Sequence, residues 1–212
     1  MNDTTTIQRI TTILKNLNAL GFENIPSTLK YSALKDAKLD VNNCKECSLH
    51  TQCDTPIFGE GNPFASLMVI GDVPDENEVF EGKPFAGEQG DLFSNLLFKL
   101  GLNRADLYIT NIIKCHYKNP IAQLDDDMIN CLVHLNRQIE IVSPKVILVM
   151  GNAASKCLLS TDKDIKELRG RFYDYNGIKV MPTFHTSHFI KASQDKSLTW
   201  GDAKMVLKEL SG

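Results

Sequence analysis

Leu107-Tyr108-Ile109-Thr110-Asn111-Ile112-Ile113-Lys114-Cys115 combines β-branched and aromatic residues with one amide and one thiol. Tyr108, Ile109, Thr110, Ile112 and Ile113 favour a buried strand, and a polar segment with Asn119 and Pro120 ends it. Such a strand delivers two chemistries from one stretch of backbone: Asn111 to read a ligand and Cys115 to hold a metal.

Working outward, Leu67-Met68-Val69-Ile70 reads as a strand ended by Gly71, and Val146-Ile147-Leu148-Val149-Met150 as one buried on both faces. Helical spacing at Leu92, Leu96, Leu97 and Leu100 ends at Gly101, and a second helix runs from about Asp125 to Val142 with Met128, Leu132, Leu135 and Ile139 inward. Gly151-Asn152-Ala153-Ala154 turns into a short helix, Asn176-Gly177 marks a hairpin between Phe172 and Val180, and a last strand ends near Phe184-His185. A closing helix covers about Leu198 to Leu210. Strands alternating with helices predict an α/β fold, a three-layer α/β/α sandwich around a mostly parallel sheet. Ligands in such sheets bind beyond the carboxyl ends of the strands, so the loops after Ile70, Ile113, Met150 and Phe184 are the place to look.

Toward the N-terminus, Ile7, Ile10, Ile13, Leu14, Leu17 and Leu20 predict an amphipathic helix stopped by Gly21, and Phe22 to Asn43 read as a linker or loose arm. Residues 1–43 are therefore expected to be a helical extension and 44–212 the main domain. The 212 residues are enough for one sizeable core, and a net charge of -3 gives no global basic field, though a local groove can still be basic. No apolar run approaches the ~18 residues of a membrane span, so the expectation is a soluble, cytoplasmic monomer that does not engage membranes.

Six cysteines in such a chain suggest metal chemistry more than disulfides. Cys44 and Cys47 form a C-x2-C pair, and Cys115 and Cys131 stand at a strand end and on the next helix. Four thiolates close a site for zinc or for a 4Fe-4S cluster, and spacing alone leaves both open. Cys53 and Cys157 read as spare, buried small hydrophobes. The loop from Gly71 to Gly90 is rich in acids, Pro and Gly. Asp72 there can polarise a water and Phe85 can stack on a flat ligand, although such loops are more often solvated connections. His185 alone would more often be a structural histidine.

Taken together, the motifs resemble the family 4 uracil-DNA glycosylases, the iron-sulfur branch of the uracil-DNA glycosylase superfamily, from about Cys44 to Leu210. The matching residues are Cys44-x2-Cys47, Phe58-Gly59-Glu60-Gly61-Asn62-Pro63, Gly82-Lys83-Pro84-Phe85-Ala86-Gly87, Ile109 to Cys115, Cys131, Leu168-Arg169-Gly170, Gly177-Ile178-Lys179-Val180 and Leu198-Thr199-Trp200. The resemblance implies a DNA repair enzyme that hydrolyses the N-glycosidic bond of a flipped deoxyuridine, with uracil-containing DNA as partner. It implies a 4Fe-4S cluster on Cys44, Cys47, Cys115 and Cys131. By the same resemblance Phe85 stacks on uracil beside Gly71, Asn111 reads its edge, Glu78 crowds C5 against thymine, His185 donates to O2 and Asp72 orients water. Phe189 and Ile190 would wedge into the duplex and Lys191 would meet phosphate. Lys83, Lys114, Arg169 and Arg171 would form a local positive surface.

The chain departs from the family pattern at Asp72, usually Glu, at Asp75, usually Gly, and at Thr186, usually Pro. After Cys115, the segment His116-Tyr117-Lys118-Asn119-Pro120 lacks the usual arginine and paired prolines. These changes sit at the proposed site and keep a second reading open: a weak or inactive protein of this fold that binds DNA or a partner, with the cluster kept for folding.

Overall fold

A computed structural model describes residues 12–13, 27–53, 55–117, 125–191 and 193–212. In chain order the elements are helix α1 (Ser27–Asn42), strands β1 (Glu60–Gly61) and β2 (Leu67–Gly71), helices α2 (Glu76–Glu81) and α3 (Gly87–Leu100), strand β3 (Tyr108–Asn111), helix α4 (Asp125–Val142) and strand β4 (Val146–Met150). Helices α5 (Asn152–Leu159) and α6 (Ile165–Leu168), the hairpin β5 (Tyr173–Tyr175) and β6 (Ile178–Thr183), and helices α7 (His188–Lys191) and α8 (Lys196–Ser211) complete it.

The strands form one six-stranded sheet in the order β1-β3-β2-β4-β6-β5. The four inner strands are parallel and both edges are antiparallel. Alternation along the strands divides the core into two layers. Met68, Ile70, Ile147 and Val149 pack toward Leu135 and Ile139 of α4 and Ala154 of α5. Leu67, Val69, Ile109 and Leu148 face the other way, toward Phe93 and Leu97 of α3 and Val206 of α8. Every residue of β2, β3 and β4 is buried, which is why their sequences carry no polar alternation. Asn176 and Gly177 both have positive φ in the β5–β6 turn, the geometry that this dipeptide favours.

Two sequence expectations change. The stretch read as a linker is instead helix α1, whose Ala33, Ala37 and Val41 pack on Phe58 and on Ile141 of α4. Its inward stripe is made largely of alanine and also contains a lysine, so apolar periodicity hid it. Lys30 is buried, and its Nζ donates to the carbonyls of Val142 (2.9 Å) and Pro63 (3.4 Å), satisfying an orphan carbonyl at the end of α4. The acidic loop after β2 also contains α2, started by a capping box in which Asp75 and Glu78 each accept the other's backbone N–H. The expected helix from Ile7 to Leu20 lies outside the described residues apart from Thr12 and Ile13, which are helical.

Phe58-Gly59-Glu60-Gly61-Asn62-Pro63 brings the chain against β3. At Gly61 φ is 122°, and a Cβ there would lie 2.0 Å from the carbonyl oxygen of Leu107. Gly61→Ala is accordingly expected to destabilise the fold by about 2–4 kcal/mol. At roughly 2–4 °C per kcal/mol for a chain of this size, thermal unfolding should shift down by about 10 °C.

Candidate active site and cysteine cluster

The parallel strands end in register: Gly71 of β2 lies beside Asn111 of β3, and Met150 of β4 beside Thr183 of β6. Strand order reverses around β2, with β3 on one side and β4 on the other, so the crevice beyond β2 and β4 is the switch point where sheets of this kind bind ligands. Asp72 occupies it. Its carboxylate accepts from the backbone N–H of Ala154 at 2.7 Å, at the N-terminus of α5. Gly151 allows the approach, since a Cβ there would lie 2.2 Å from Asp72 Oδ2. Burial raises the Asp72 carboxyl to about 7, while hydrogen bonds from the amides of Ala154 and Ala153 pull the other way.

Asn111 is buried at the end of β3, and its Nδ2 donates to Glu78 Oε1 at 3.0 Å. That bond fixes the amide, leaving Oδ1 and one N–H for a ligand. Glu78 also accepts from the backbone N–H of Phe85 (2.5 Å) and of Asp75 (2.8 Å). The Glu78 carboxylate is thus the brace of the site, with burial pushing its pKa up and these donors pulling it down. Phe85 sits at φ 50°, a left-handed conformation uncommon for a residue with a large side chain. Its ring centroid lies 5.3 Å from that of His185 and 4.6 Å from that of Phe93. A Cβ at Gly71 would meet Asn111 Oδ1 at 2.3 Å and the Phe85 ring at 3.0 Å, so only glycine lets amide and ring close on the strand end.

His185 follows β6. Its Nδ1 accepts from the backbone N–H of Ser187 at 3.3 Å and lies 2.9 Å from the Ser187 hydroxyl. A main-chain N–H can only donate, so the neutral ring carries its proton on Nε2. Burial lowers the His185 pKa to about 4, which keeps the ring neutral at ordinary pH. Asp75, a departure from the family pattern, has its carboxylate tied to the N–H of Glu78 (2.9 Å) and to Gln89 Nε2 (2.8 Å).

The thiols of Cys44, Cys47, Cys115 and Cys131 line one pocket together with Lys114 and His134. His134 Nε2 lies 3.1 Å from Cys44 Sγ. Among the described residues no three of Cys, His, Asp or Glu gather tightly enough to hold a single metal ion. Cys157 packs against the core, and the Cys115 thiol is pushed up by its neighbour Cys53, read as a spare, and by burial.

Other expectations are corrected. Lys114 is not surface charge: it is buried, and its Nζ donates to Thr110 Oγ1 (2.7 Å), the Asn111 carbonyl (2.6 Å) and Gln138 Oε1 (2.6 Å). Arg169 pairs with Asp202 at 2.7 Å. Phe189 does not project as a wedge but packs with Ile165 and Phe184. Ile190 and Lys191 lie on α7, and their side chains are outside the description.

Sequence reasoning missed Arg104. Its guanidinium donates to the carbonyls of Pro84 and Phe85 (3.3 Å for the latter), pairs with Glu60 at 2.7 Å and lies over the Phe93 ring at 5.7 Å. Nothing in the local pattern marks it, because its partners lie about twenty and forty-four residues away.

The α/β fold brings a buried amide, a Phe ring and a neutral histidine together at the strand ends, chemistry suited to a planar, hydrogen-bonding ligand. A family model described as the uracil DNA glycosylase superfamily matches residues 58–204, and the chain belongs to that superfamily. Similar curated proteins are the type-4 uracil-DNA glycosylases of Saccharolobus solfataricus (34% identical over 181 residues, 81% of this chain and 84% of the relative) and Sulfurisphaera tokodaii (35% over 162 residues, 72% and 74%). The type-4 enzyme of Thermotoga maritima is 35% identical over 153 residues, 71% of this chain and 80% of its own.

Arg104→Ala removes two charge-assisted bonds from the Phe85 turn, each worth roughly 1.5–3 kcal/mol. Amide hydrogen exchange across residues 84–87 should then accelerate by about 10–100-fold while global unfolding moves by only a few degrees. Unchanged protection there would show that Arg104 does not hold the turn.

Proposed function

We propose that this chain is a uracil-DNA glycosylase: it hydrolyses the N-glycosidic bond of deoxyuridine flipped out of DNA. The observation that carries the reading is the Asn111 amide, held by Glu78 beside the Phe85 ring, whose centroid lies 5.3 Å from that of His185. With Nδ2 held by Glu78, Oδ1 accepts from uracil N3–H and the second N–H donates to O4. Cytosine presents the opposite pattern at these positions and is refused. Phe85 stacks on the base, with Gly71 below it. Glu78 stands beside the O4 side of the amide, next to C5, where a thymine methyl would press.

Water adds to C1′ as the C1′–N1 bond breaks, and the electron pair leaves with the uracil ring. Negative charge gathers at O2, where the neutral His185 donates from Nε2. Asp72 orients the water and takes its proton. Ile190 and Lys191 of α7 border the DNA, and Phe189 supports them from the core. The functional unit is taken as residues 44–212 with α1 braced against it, acting as a monomer in the cytoplasm.

Cys44, Cys47, Cys115 and Cys131 are assigned to a 4Fe-4S cluster. The donor set fits: four cysteines line one pocket, with the Lys114 ammonium beside Cys131 to offset negative charge. A cluster binds each thiolate at a separate corner, so its ligands stand apart rather than meeting at one point. When bound, it cross-links the segment at Cys44, the end of β3 and α4.

Asn111→Asp puts a carboxylate where a donor to O4 is needed. Uracil release from single-stranded DNA should fall by about 10²-fold or more, with relatively less discrimination against cytosine. Wild-type rates in this variant would remove Asn111 from the pocket.

Because ionised Asp72 is the active form, uracil release should rise as pH increases through about 7. Asp72→Asn should lose that inflection together with about 10²–10⁴-fold of rate. The linked stability has a definite sign: a carboxyl whose folded pKa is raised stabilises below its unfolded value near 3.8, and that contribution is lost as pH rises through about 7. The Asn variant should therefore melt higher than wild type at pH 8 but not at pH 4. A pH–rate profile and paired melting curves check both points.

A further inference from the structure

The corner where β6 ends is held from outside the site. Phe184 is buried against Ile165 of α6 and Phe189 of α7, and His185 follows it into the crevice. His188 then turns back over this corner. Its ring stacks on Phe184 with centroids 4.4 Å apart and planes 12° from parallel, and its backbone N–H donates to the His185 carbonyl at 3.0 Å. The His188 ring is itself tied down, because its Nε2 lies 2.7 Å from Asp195 Oδ2. A carboxylate only accepts, so Nε2 carries a proton and donates it.

Asp195 stands immediately before α8, where a carboxylate ordinarily caps the helix, yet its side chain makes no capping bond and goes to His188 instead. Both side chains of the pair are partly exposed, so it adds little to global stability. What it does is restrain a ring. Thr186 gives the turn no rigid ring of its own, so the shape of the turn comes from contacts. Arg169 ties the same corner to the same end of α8: it lies over Phe184 at 5.7 Å and donates to the Leu198 carbonyl at 2.8 Å.

We propose that His188 is a positioning residue for base release: its ring, held by Asp195, fixes the corner at Phe184 and with it the aim of the His185 donor. Rotation is opposed on both sides of the His185 backbone, since the preceding ring is stacked and its own carbonyl is bonded. The backbone bond survives a change of side chain, so the His188 ring and the Asp195 carboxylate are the parts that substitution removes. A misplacement of about 1 Å can cost up to about 10²-fold in rate. The proposal rests on the glycosylase reading for what His185 donates to; the positioning itself is a property of the fold.

The test pairs uracil release with nuclear magnetic resonance of the His185 ring in full-length chains. His188→Ala should lower kcat on single-stranded uracil-containing DNA by about 10-fold with KM within about 2-fold, while melting moves by only a few degrees. His188→Phe keeps a stacking ring and should recover most of that loss. Asp195→Ala should cost about 3-fold where residue 188 is His and nothing further where it is Phe. In a His185→Ala background, His188→Ala should change the rate by less than about 2-fold, because it acts through His185, whereas a general loss of fold or of DNA contact would persist there. Proton–nitrogen correlation spectra, with the His185 ring identified by its absence from His185→Ala, should show one Nε2–H tautomer giving way to a mixture in His188→Ala. An equal cost of His188→Ala in both backgrounds overturns the proposal, and so does an unmoved His185 ring signal. A wild-type chain that releases no uracil overturns the glycosylase reading instead, and the ring signal then decides the positioning alone.

Discussion

One buried carboxylate holds the candidate site together. Glu78 reaches back to the Asp75 N–H with one oxygen and gives the other to the Phe85 N–H and the Asn111 amide. The geometry follows from the capping box. Placing a Glu at the third position of a short helix turns its side chain toward the helix start, and the start of α2 lies where β2 ends. A buried carboxylate without donors would cost several kcal/mol, so its three donors are as constrained by it as it is by them. Loss of any one would loosen the other two. The amide, the stacking ring and the N-terminus of α2 therefore form a single mechanical unit, with Arg104 fastening the carbonyl side of the Phe85 turn.

Burial acts on the two proposed catalytic groups in opposite directions for one reason. A low-dielectric site penalises charge of either sign, so the Asp72 carboxyl rises to about 7 and the His185 imidazole falls to about 4. The crevice consequently holds a neutral imidazole donor, and a carboxyl that changes state near neutrality rather than far below it. Neutrality at His185 has a mechanical counterpart in the Ser187 N–H, which fixes the tautomer. The departure at Asp72 from the longer family glutamate is matched by its surroundings: the shorter arm rests on the α5 amides, at a position that Gly151 leaves open. The departure at Asp75 is likewise absorbed, because its charge caps α2 and meets Gln89.

The sheet was legible because its inner strands are continuous apolar runs, and α3 and α4 because their inward residues are large and regularly spaced. Helix α1 was not, since it packs through alanines and a buried lysine whose partners, the carbonyls of Val142 and Pro63, come from distant chain. The same distinction governs the site. Asn111 and His185 stand out at strand ends and Phe85 in a Gly-rich loop motif, whereas the identity of Glu78 as a brace, Arg104 as a clamp and Lys114 as an interior cation depends on three-dimensional neighbours. The capping box at Asp75 and Glu78 was present in the sequence and would have revealed α2, but the Pro and Gly around it suggested open loop. Phe189 looked like a wedge because it is aromatic and near the motif histidine; Ile165 and Phe184 fill the space around it instead.

Lys114 connects the two chemistries proposed for the end of β3. An ammonium wholly inside the protein needs every proton accepted, and this one finds Thr110, Asn111 and Gln138 within 2.7 Å. Gln138 in turn donates to the Phe58 carbonyl and to the Tyr108 hydroxyl, so the network runs from α4 through the β1 approach into β3. Burial lowers the Lys114 pKa to about 8, and the nearby Cys131 thiol opposes that shift, favouring the charged form as its own charge becomes negative. A thiolate cluster would strengthen that effect. The cation would then be held more firmly, and with it the Asn111 carbonyl it grips. The assigned metal centre and the proposed base-reading residue would thus be linked by a short chain of charge and hydrogen bonds through one lysine, which holds the Asn111 main-chain carbonyl.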